Sequence, residues 1–190
     1  MIRTALIALL AAFGVLFAVS CSDPAKNLPV YNTVPEFQLT DSYGQTFDSH
    51  VLDGKVWVAD FIYTHCPGPC PRMTSQMHQV EQKIKGDSDV RLVSFTVDPA
   101  RDTPPILDEY AKRFGGPTAQ WSFLTGKPET LHQLARKVFM VGDLVGVMDH
   151  STKFMVIDKK RQVRGYYSTF DKSGMSDLLR DVNALRRSRS

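Results

Sequence analysis

The chain has no strong excess of charge of either sign. Its 190 residues carry a net charge of +3, with Lys and Arg scattered except for a short run at Arg186, Arg187 and Arg189. Such a run is typical of a solvated tail, so we expect no nucleic-acid partner. Internal repeats and low-complexity tracts are also absent, and a hydrophobic content of 43% favours one globular domain with a sizeable core.

No apolar run is long enough for an ordinary membrane-spanning helix. The longest, Ala5–Val19, follows the basic Arg3 and would rise about 22 Å as a helix, short of a hydrocarbon core of about 30 Å. This pattern favours a secretory signal. The small residues before Cys21 resemble a bacterial lipobox, although Ala18 stands where Leu is usual.

These features predict three segments. Residues 1–20 form a lipoprotein-type signal peptide, residues 21–33 a tether and residues 34–187 the folded domain. We expect lipid on Cys21 and a domain held at the periplasmic side of a bacterial membrane. An uncleaved anchor, or ordinary cleavage that leaves Cys21 free, would still export the domain.

Lipidation of Cys21 would leave Cys66 and Cys70 as the remaining thiols, four positions apart among prolines. A structural disulfide, a redox couple and a metal clamp are all open to such a pair, but a disulfide closing so small a loop stabilises little. The run 55–63 predicts a buried strand, and Pro69 and Pro71 suit the first turn of a helix that starts near Cys70. Both sulfurs would then lie at the positive end of a helix, which lowers thiol pKa.

The remaining pattern alternates strands and helices. Residues 37–47 predict a hairpin that turns at Tyr43–Gly44. Further strands are expected at 90–97, 121–124, 153–157 and 163–168, and further helices at 104–114, 128–138 and 173–186. Paired cysteines at a helix start, βα repeats and a closing hairpin plus helix predict a thioredoxin-like α/β domain with an N-terminal β-hairpin extension.

The predicted domain lacks one proline that is usual in thioredoxin-like enzymes. Thioredoxin-type oxidoreductases usually set a cis-proline opposite the cysteines, just before the first strand of the closing hairpin. Here no proline follows Pro128, and Asp149-His150-Ser151-Thr152 precedes that strand. The fold therefore predicts that His150 faces the cysteine loop.

Four segments together resemble the Sco/SenC copper-binding proteins, which assist cytochrome c oxidase assembly. They are Thr64-His-Cys-Pro-Gly-Pro-Cys-Pro71, Thr96-Val-Asp-Pro-Ala-Arg-Asp-Thr-Pro104, Phe123-Leu-Thr-Gly126 and Asp149-His-Ser-Thr152. The resemblance covers roughly residues 31–186 and implies copper ligands at Cys66, Cys70 and His150. One departure is Gly68-Pro69, where many members carry Asp-Val or Asp-Ile.

The resemblance implies a metallochaperone that delivers copper to the binuclear centre of cytochrome c oxidase subunit II. Soft thiolates select Cu(I), imidazole accommodates Cu(I) and Cu(II), and three ligands leave copper open to a partner's ligand. A second hypothesis is a thiol-disulfide oxidoreductase that keeps the cysteines of that centre reduced. A thiol peroxidase is a weaker third, because nothing in the sequence marks Cys66 apart from Cys70.

Two carboxylates are candidates for tuning the site. Asp98 closes a predicted strand at the edge where sites gather in open α/β sheets, so it either tunes the cysteines or only initiates a turn. Asp149 could orient His150 as a hydrogen-bond acceptor. Three further residues near the cysteines are expected to be structural, in the core or at the surface: Met73, Met77 and His65.

Overall fold

Eight strands form one mixed sheet in a computed structural model that describes residues 24–141 and 152–188. The strands are β1 (Asn32–Thr33), β2 (Gln38–Asp41), β3 (Thr46–Asp48), β4 (Val56–Ile62), β5 (Val90–Thr96), β6 (Trp121–Thr125), β7 (Lys153–Ile157) and β8 (Gln162–Ser168). Their order across the sheet is β1-β8-β7-β4-β5-β6-β2-β3. Strands β4, β5 and β6 are parallel, and β7 lies antiparallel to β4. The predicted N-terminal hairpin is present as β2 and β3, with Gly44 in its turn at φ 78°.

Four α-helices cover the sheet within the described residues. They are α1 (Pro69–Ile84), α2 (Pro104–Lys112), α3 (Pro128–Gln133), which continues into a π-helical turn (Leu134–Val138), and α4 (Gly174–Arg187). The first three each begin at a proline, whose fixed φ suits the first turn and whose missing N–H would have no partner there. The predicted helices are therefore confirmed, except that the third one widens in its last turn.

The central strand explains where the cysteines lie. All seven residues of β4 are buried, and alternate side chains pack into two hydrophobic clusters, one on each face of the sheet. Val56, Val58 and Ile62 belong to the same cluster as Cys66 and Cys70. Helix α1 therefore covers this face. Cys66 lies in the loop that joins β4 to α1, beyond the carboxyl end of the strand, and Cys70 lies in the first turn of α1.

The segment that the sequence predicts as a tether is bound to the domain. Ala25 is 4% exposed and belongs to the core cluster beneath α1. The Arg164 guanidinium donates hydrogen bonds to the carbonyl oxygens of Ala25, Leu28 and Pro29. Residues 25–29 are thus held against the domain by these hydrogen bonds. The predicted signal peptide and Cys21 lie outside the described residues.

Candidate metal centre

Cys66 and Cys70 lie where the sequence predicts them, in the β4–α1 loop and at the start of α1. Both are thiols in the structure, and both are buried, Cys66 at 8% and Cys70 at 1% exposed. The Cys70 backbone N–H donates a hydrogen bond to the Cys66 sulfur over 3.4 Å. The positive end of α1 therefore points at Cys66, and Cys70 lies beneath it in the first turn.

Hydrogen bonds favour the thiolate form of Cys66. Burial alone would raise the pKa of this thiol, but hydrogen bonds from the Cys70 thiol, from the Cys70 and Gly68 backbone amides and from the Tyr63 hydroxyl outweigh it and lower the pKa. The prediction of a lowered thiol pKa is confirmed for this cysteine. Cys66 is the sulfur prepared to attack a disulfide or bind a metal.

Cys70 has the opposite tendency, so the prediction of a lowered pKa for both thiols is wrong. Burial raises the pKa of Cys70 to about 12, and the hydrogen bond that it donates to Cys66 holds its proton further. The helix end cannot offset this, because the free amide of the first turn is used on Cys66. The two cysteines are therefore not equivalent. The argument against a thiol peroxidase, that nothing distinguishes Cys66 from Cys70, no longer holds.

Tyr63 completes the surroundings of Cys66. Burial raises the pKa of its phenol to about 12, as does its hydrogen bond to the Cys66 sulfur. The phenol thus stays protonated and remains a donor. Sequence reasoning did not single out this residue, although its position at the end of the predicted strand, three residues before the cysteine, was visible.

Asp102 fixes the loop that carries Cys66, a role that sequence reasoning did not predict. It is fully buried, and its carboxylate accepts hydrogen bonds from the Thr64 backbone N–H at 3.1 Å, the Thr64 hydroxyl at 2.5 Å and the Thr96 hydroxyl at 2.5 Å. A buried carboxylate with three donors is a rigid anchor. Its only sequence signal was its place in the Asp-Pro-x-x-Asp-Thr-Pro segment.

Asp98 acts first as a turn residue. Its backbone carbonyl accepts hydrogen bonds from the Arg101 and Asp102 amides, and its own N–H donates to the Thr96 hydroxyl. Its carboxylate is close enough to Tyr63 to help raise the pKa of the phenol. The structure therefore supports the turn interpretation directly and connects Asp98 to the cysteines only through Tyr63.

Met73, Met77 and His65, which the sequence predicts to be structural, lie in the core or at the surface. Met73 and Met77 are fully buried in the core cluster beneath α1. The side chain of His65 is 60% exposed, and its Nδ1 lies 2.9 Å from the Thr64 hydroxyl oxygen. None of these side chains contacts a cysteine sulfur through a described hydrogen bond.

A hydrogen-bonded link joins α1 to the residue that precedes β7. Arg72 and Gln76, on α1, donate to the Thr169 carbonyl oxygen at 3.2 and 3.0 Å. Thr169 in turn donates its backbone N–H and its hydroxyl to the Thr152 carbonyl oxygen at 2.9 and 2.8 Å. His150 and Asp149 themselves lie outside the described residues.

The described residues alone do not complete a metal site. Within residues 24–141 and 152–188, no group of three or more His, Cys, Asp or Glu side chains is placed to hold a metal ion. Cys66 and Cys70 supply two soft donors at the end of the sheet. Among the helices of this part of the chain, none is both long enough and apolar enough to cross a membrane.

Comparison with known proteins decides the family. The SCO1/SenC family matches residues 25–185, from the N-terminal segment into helix α4. The chain belongs to the SCO1/SenC family. The match starts at Ala25, the residue at which the N-terminal segment begins to pack on the domain.

Solved structures of family members share this fold. A SCO1/SenC family lipoprotein from Bacillus anthracis is 34% identical, with a TM-score of 0.73 over 81% of this chain and 95% of its own. BsSco, from the Sco family of cytochrome c oxidase assembly proteins and described with a disulfide switch, is 28% identical, with a TM-score of 0.75 over 86% and 99%. ScoI from Arabidopsis thaliana, with copper bound, is 27% identical, with a TM-score of 0.63 over 78% and 97%. The thioredoxin-like α/β fold predicted from the sequence is thus confirmed.

The asymmetry of the two thiols predicts their order of reaction. When the reduced, metal-free protein is treated with iodoacetamide at pH 7, Cys66 should be alkylated at least about tenfold faster than Cys70, because only thiolate reacts and Cys70 retains its proton. Peptide mass spectrometry at short times measures both rates. Equal rates, or faster labelling of Cys70, would contradict the described hydrogen bonding of the pair.

Proposed function

We propose that this protein is a copper metallochaperone that holds copper at Cys66, Cys70 and His150 and delivers it to the binuclear copper centre of cytochrome c oxidase subunit II. The observation that carries the proposal is the pair of thiols at one end of α1, four positions apart in a member of the SCO1/SenC family. Relatives in this family are described with copper bound and as cytochrome c oxidase assembly proteins.

The donor set suits copper as a cargo. Two thiolate sulfurs favour Cu(I), and one imidazole would allow Cu(II) as well. A structural zinc site would require four protein ligands, and the described residues offer only the two sulfurs at this place. A site with three protein ligands leaves a position at which a recipient's ligand can enter.

The link between α1 and β7 supports His150 as the third ligand. Thr169 joins the Thr152 carbonyl oxygen to Arg72 and Gln76, which lie two and six residues beyond Cys70 on the same helix. Two residues of chain span at most about 7 Å, which limits how far residue 150 can lie from Thr152. Thr152, which follows His150 by two positions in sequence, is thus held beside the cysteine helix, and this supports the choice of His150.

Metal binding would be linked to the redox state of the pair. Each thiol must lose its proton to bind copper, and a disulfide between Cys66 and Cys70 offers no thiolate. Oxidation therefore releases the metal, and reduction restores the site. The same two sulfurs also support the second candidate, a thiol-disulfide oxidoreductase that reduces the cysteines of subunit II.

A specific observation favours that second candidate alongside the first. Cys66, with a lowered pKa, is suited to attack a disulfide, and buried Cys70 is suited to resolve the mixed disulfide that results. The same difference between the two thiols would suit a thiol peroxidase. Membership of the SCO1/SenC family is the remaining argument against that activity.

A transfer experiment separates the two leading functions. The Cu(I)-loaded protein is mixed with the reduced, copper-free exported domain of subunit II, the two are separated, and the copper in each is measured. We expect most of the copper to move to subunit II from the wild type and the Cys66→Ser variant to load none. If copper stays with the donor while the reduced, metal-free protein rapidly reduces an oxidised subunit II domain, the oxidoreductase function replaces the proposed one.

We further propose that a lipid on Cys21 holds the protein at the periplasmic side of a bacterial membrane. The lipobox-like Ala18-Val19-Ser20-Cys21 and the description of the Bacillus anthracis relative as a lipoprotein support this. Cys21→Ala should abolish lipid attachment, which intact-mass spectrometry of protein from the membrane fraction detects. A wild-type protein that carries no lipid at Cys21 would contradict the proposal.

A further inference from the structure

The N-terminal segment, residues 25–33, is bound along the domain and is not a flexible linker; we call it the strap. Arg164, whose side chain is only 11% exposed, uses its guanidinium on the carbonyl oxygens of Ala25, Leu28 and Pro29 and on the Asp158 carboxylate at 2.7 Å. Each of these contacts is a charge-assisted hydrogen bond. The strap, residues 25–33, is therefore fixed to the edge of the sheet.

The strap shortens the connection to any membrane anchor. Ala25 follows Cys21 by four positions, so the chain between them can span at most about 14 Å. A free segment from Cys21 to residue 33 would have spanned about three times that distance. A lipid on Cys21 would consequently hold the folded domain against the bilayer surface.

Exposed apolar side chains gather where the strap enters the sheet. The Asn32 side-chain amide donates to the carbonyl oxygens of Lys137 and Val138 at 2.9 and 3.0 Å, which joins the strap to the end of the π-helical turn. Val30 and Tyr31, just before Asn32, are 55% and 49% exposed, and Met140, just after that turn, is 55% exposed. Three of the seven large exposed hydrophobic residues in the described chain thus lie near this one junction.

The same junction carries basic residues. Arg136 and Lys137 are exposed at the end of the π-helical turn, and no carboxylate of the described residues forms an ion pair with either. Exposed apolar side chains beside unpaired cations are typical of surfaces that bind anionic lipid headgroups. We call the five residues Val30, Tyr31, Arg136, Lys137 and Met140 the junction patch.

We propose that the junction patch lies on the anionic surface of the membrane to which the N-terminus is anchored. This inference rests on the proposed lipid anchor at Cys21. The chain leaves the described structure at Pro24, six residues before Val30, so the anchor and the patch act on the same bilayer surface.

The sheet then sets the orientation of the cysteines. β1 pairs with Gln162 and Val163 at the start of β8. The other end of β8, at Ser168, pairs with Lys153, which lies at the same end of the sheet as Cys66. Seven residues of strand span about 20 Å. The patch on the membrane would therefore direct the cysteine end about 20 Å away from the bilayer surface, toward the exported domain of a recipient.

Lysine footprinting of the full lipidated chain on vesicles tests this orientation. Acetylation of Lys137 by an amine-reactive reagent is compared with that of Lys172, an exposed lysine in the loop after β8, by peptide mass spectrometry. On vesicles that contain phosphatidylglycerol, we expect Lys137 to react about fivefold more slowly than in detergent, with Lys172 unchanged. Neutral phosphatidylcholine vesicles and the double variant Val30→Ser, Met140→Ser, which alters only exposed side chains, should each weaken this protection.

The outcomes separate the inference from the anchor. A chain that does not float with the vesicles contradicts the lipid anchor, and the inference falls with it. A chain that floats while Lys137 reacts as fast as in detergent retains the anchor and overturns the inference. Protection that is as strong on neutral as on anionic vesicles also overturns it, because the charge preference would then be absent.

Discussion

Replacing Asp60 by Asn should stabilise the reduced, metal-free protein at pH 8 by up to about 4 kcal/mol. Asp60 is fully buried in the middle of β4, and neither of its carboxylate oxygens has a hydrogen-bond partner of good geometry among the described residues. Burial raises its pKa from 3.8 to about 7, and Ser94, opposite it across β4 and β5, offsets this only in part. A carboxyl of this kind opposes folding once it must ionise.

The effect has a defined pH window. The folded state holds the proton of Asp60 up to about pH 7, whereas the unfolded chain loses it near pH 3.8. The stability of the wild type should therefore fall as pH rises between these values, at roughly 1.4 kcal/mol for each pH unit, and level off above them. Asn does not titrate, so Asp60→Asn should lack this slope and match the wild type near pH 4.

Asp102 supplies a matched control for this prediction. It is as buried as Asp60, but its carboxylate accepts hydrogen bonds from Thr64 and Thr96. Asp102→Asn should therefore destabilise the protein at pH 8 by about 1–3 kcal/mol. Urea unfolding of the three proteins at pH 4, 6 and 8 measures all of these effects. A wild type and an Asp60→Asn variant with the same pH slope would contradict the assignment.

Local signals in the sequence predicted the framework of the site. The apolar run before Cys66 predicted β4, and the prolines around Cys70 predicted the start of α1, because both signals act within a few residues. The hairpin at Tyr43–Gly44 was equally local, since its turn requires a glycine at positive φ.

The unequal thiols were not predictable in the same way. The pKa of each cysteine depends on which sulfur accepts the helix amide and on how deeply each lies in the core. Spacing in the sequence places both sulfurs at the helix end but does not distinguish them. Tertiary packing does, because it buries Cys70 almost completely.

Long-range contacts explain the other omissions. Asp102 holds Thr64 across 38 positions in sequence, and Arg164 holds the strap residue Ala25 across 139. The composition of residues 21–33 is that of a linker, and nothing within the segment indicates that a distant arginine binds its carbonyl oxygens. Single-sequence patterns report propensity within an element and not such pairings.

We propose that His150 completes a copper site with Cys66 and Cys70. Loss of His150 would remove one of the three proposed ligands, and even outer partners of metal ligands typically contribute about 10–100-fold to affinity. His150→Ala should therefore weaken Cu(I) binding by at least about 100-fold. Disulfide exchange on a model peptide, which needs only the two thiols, should change little.

His65 provides the matched control, because it is adjacent to Cys66 in sequence and exposed in the structure. The decisive measurement is a competition titration of the wild type, His150→Ala and His65→Ala proteins with a Cu(I) chelator. We expect His150→Ala to lose its copper at a chelator concentration about 100-fold lower than the wild type requires, and His65→Ala to match the wild type. If His150→Ala binds Cu(I) as tightly as the wild type while Cys66→Ser abolishes disulfide exchange, the metallochaperone assignment is contradicted and the oxidoreductase takes its place.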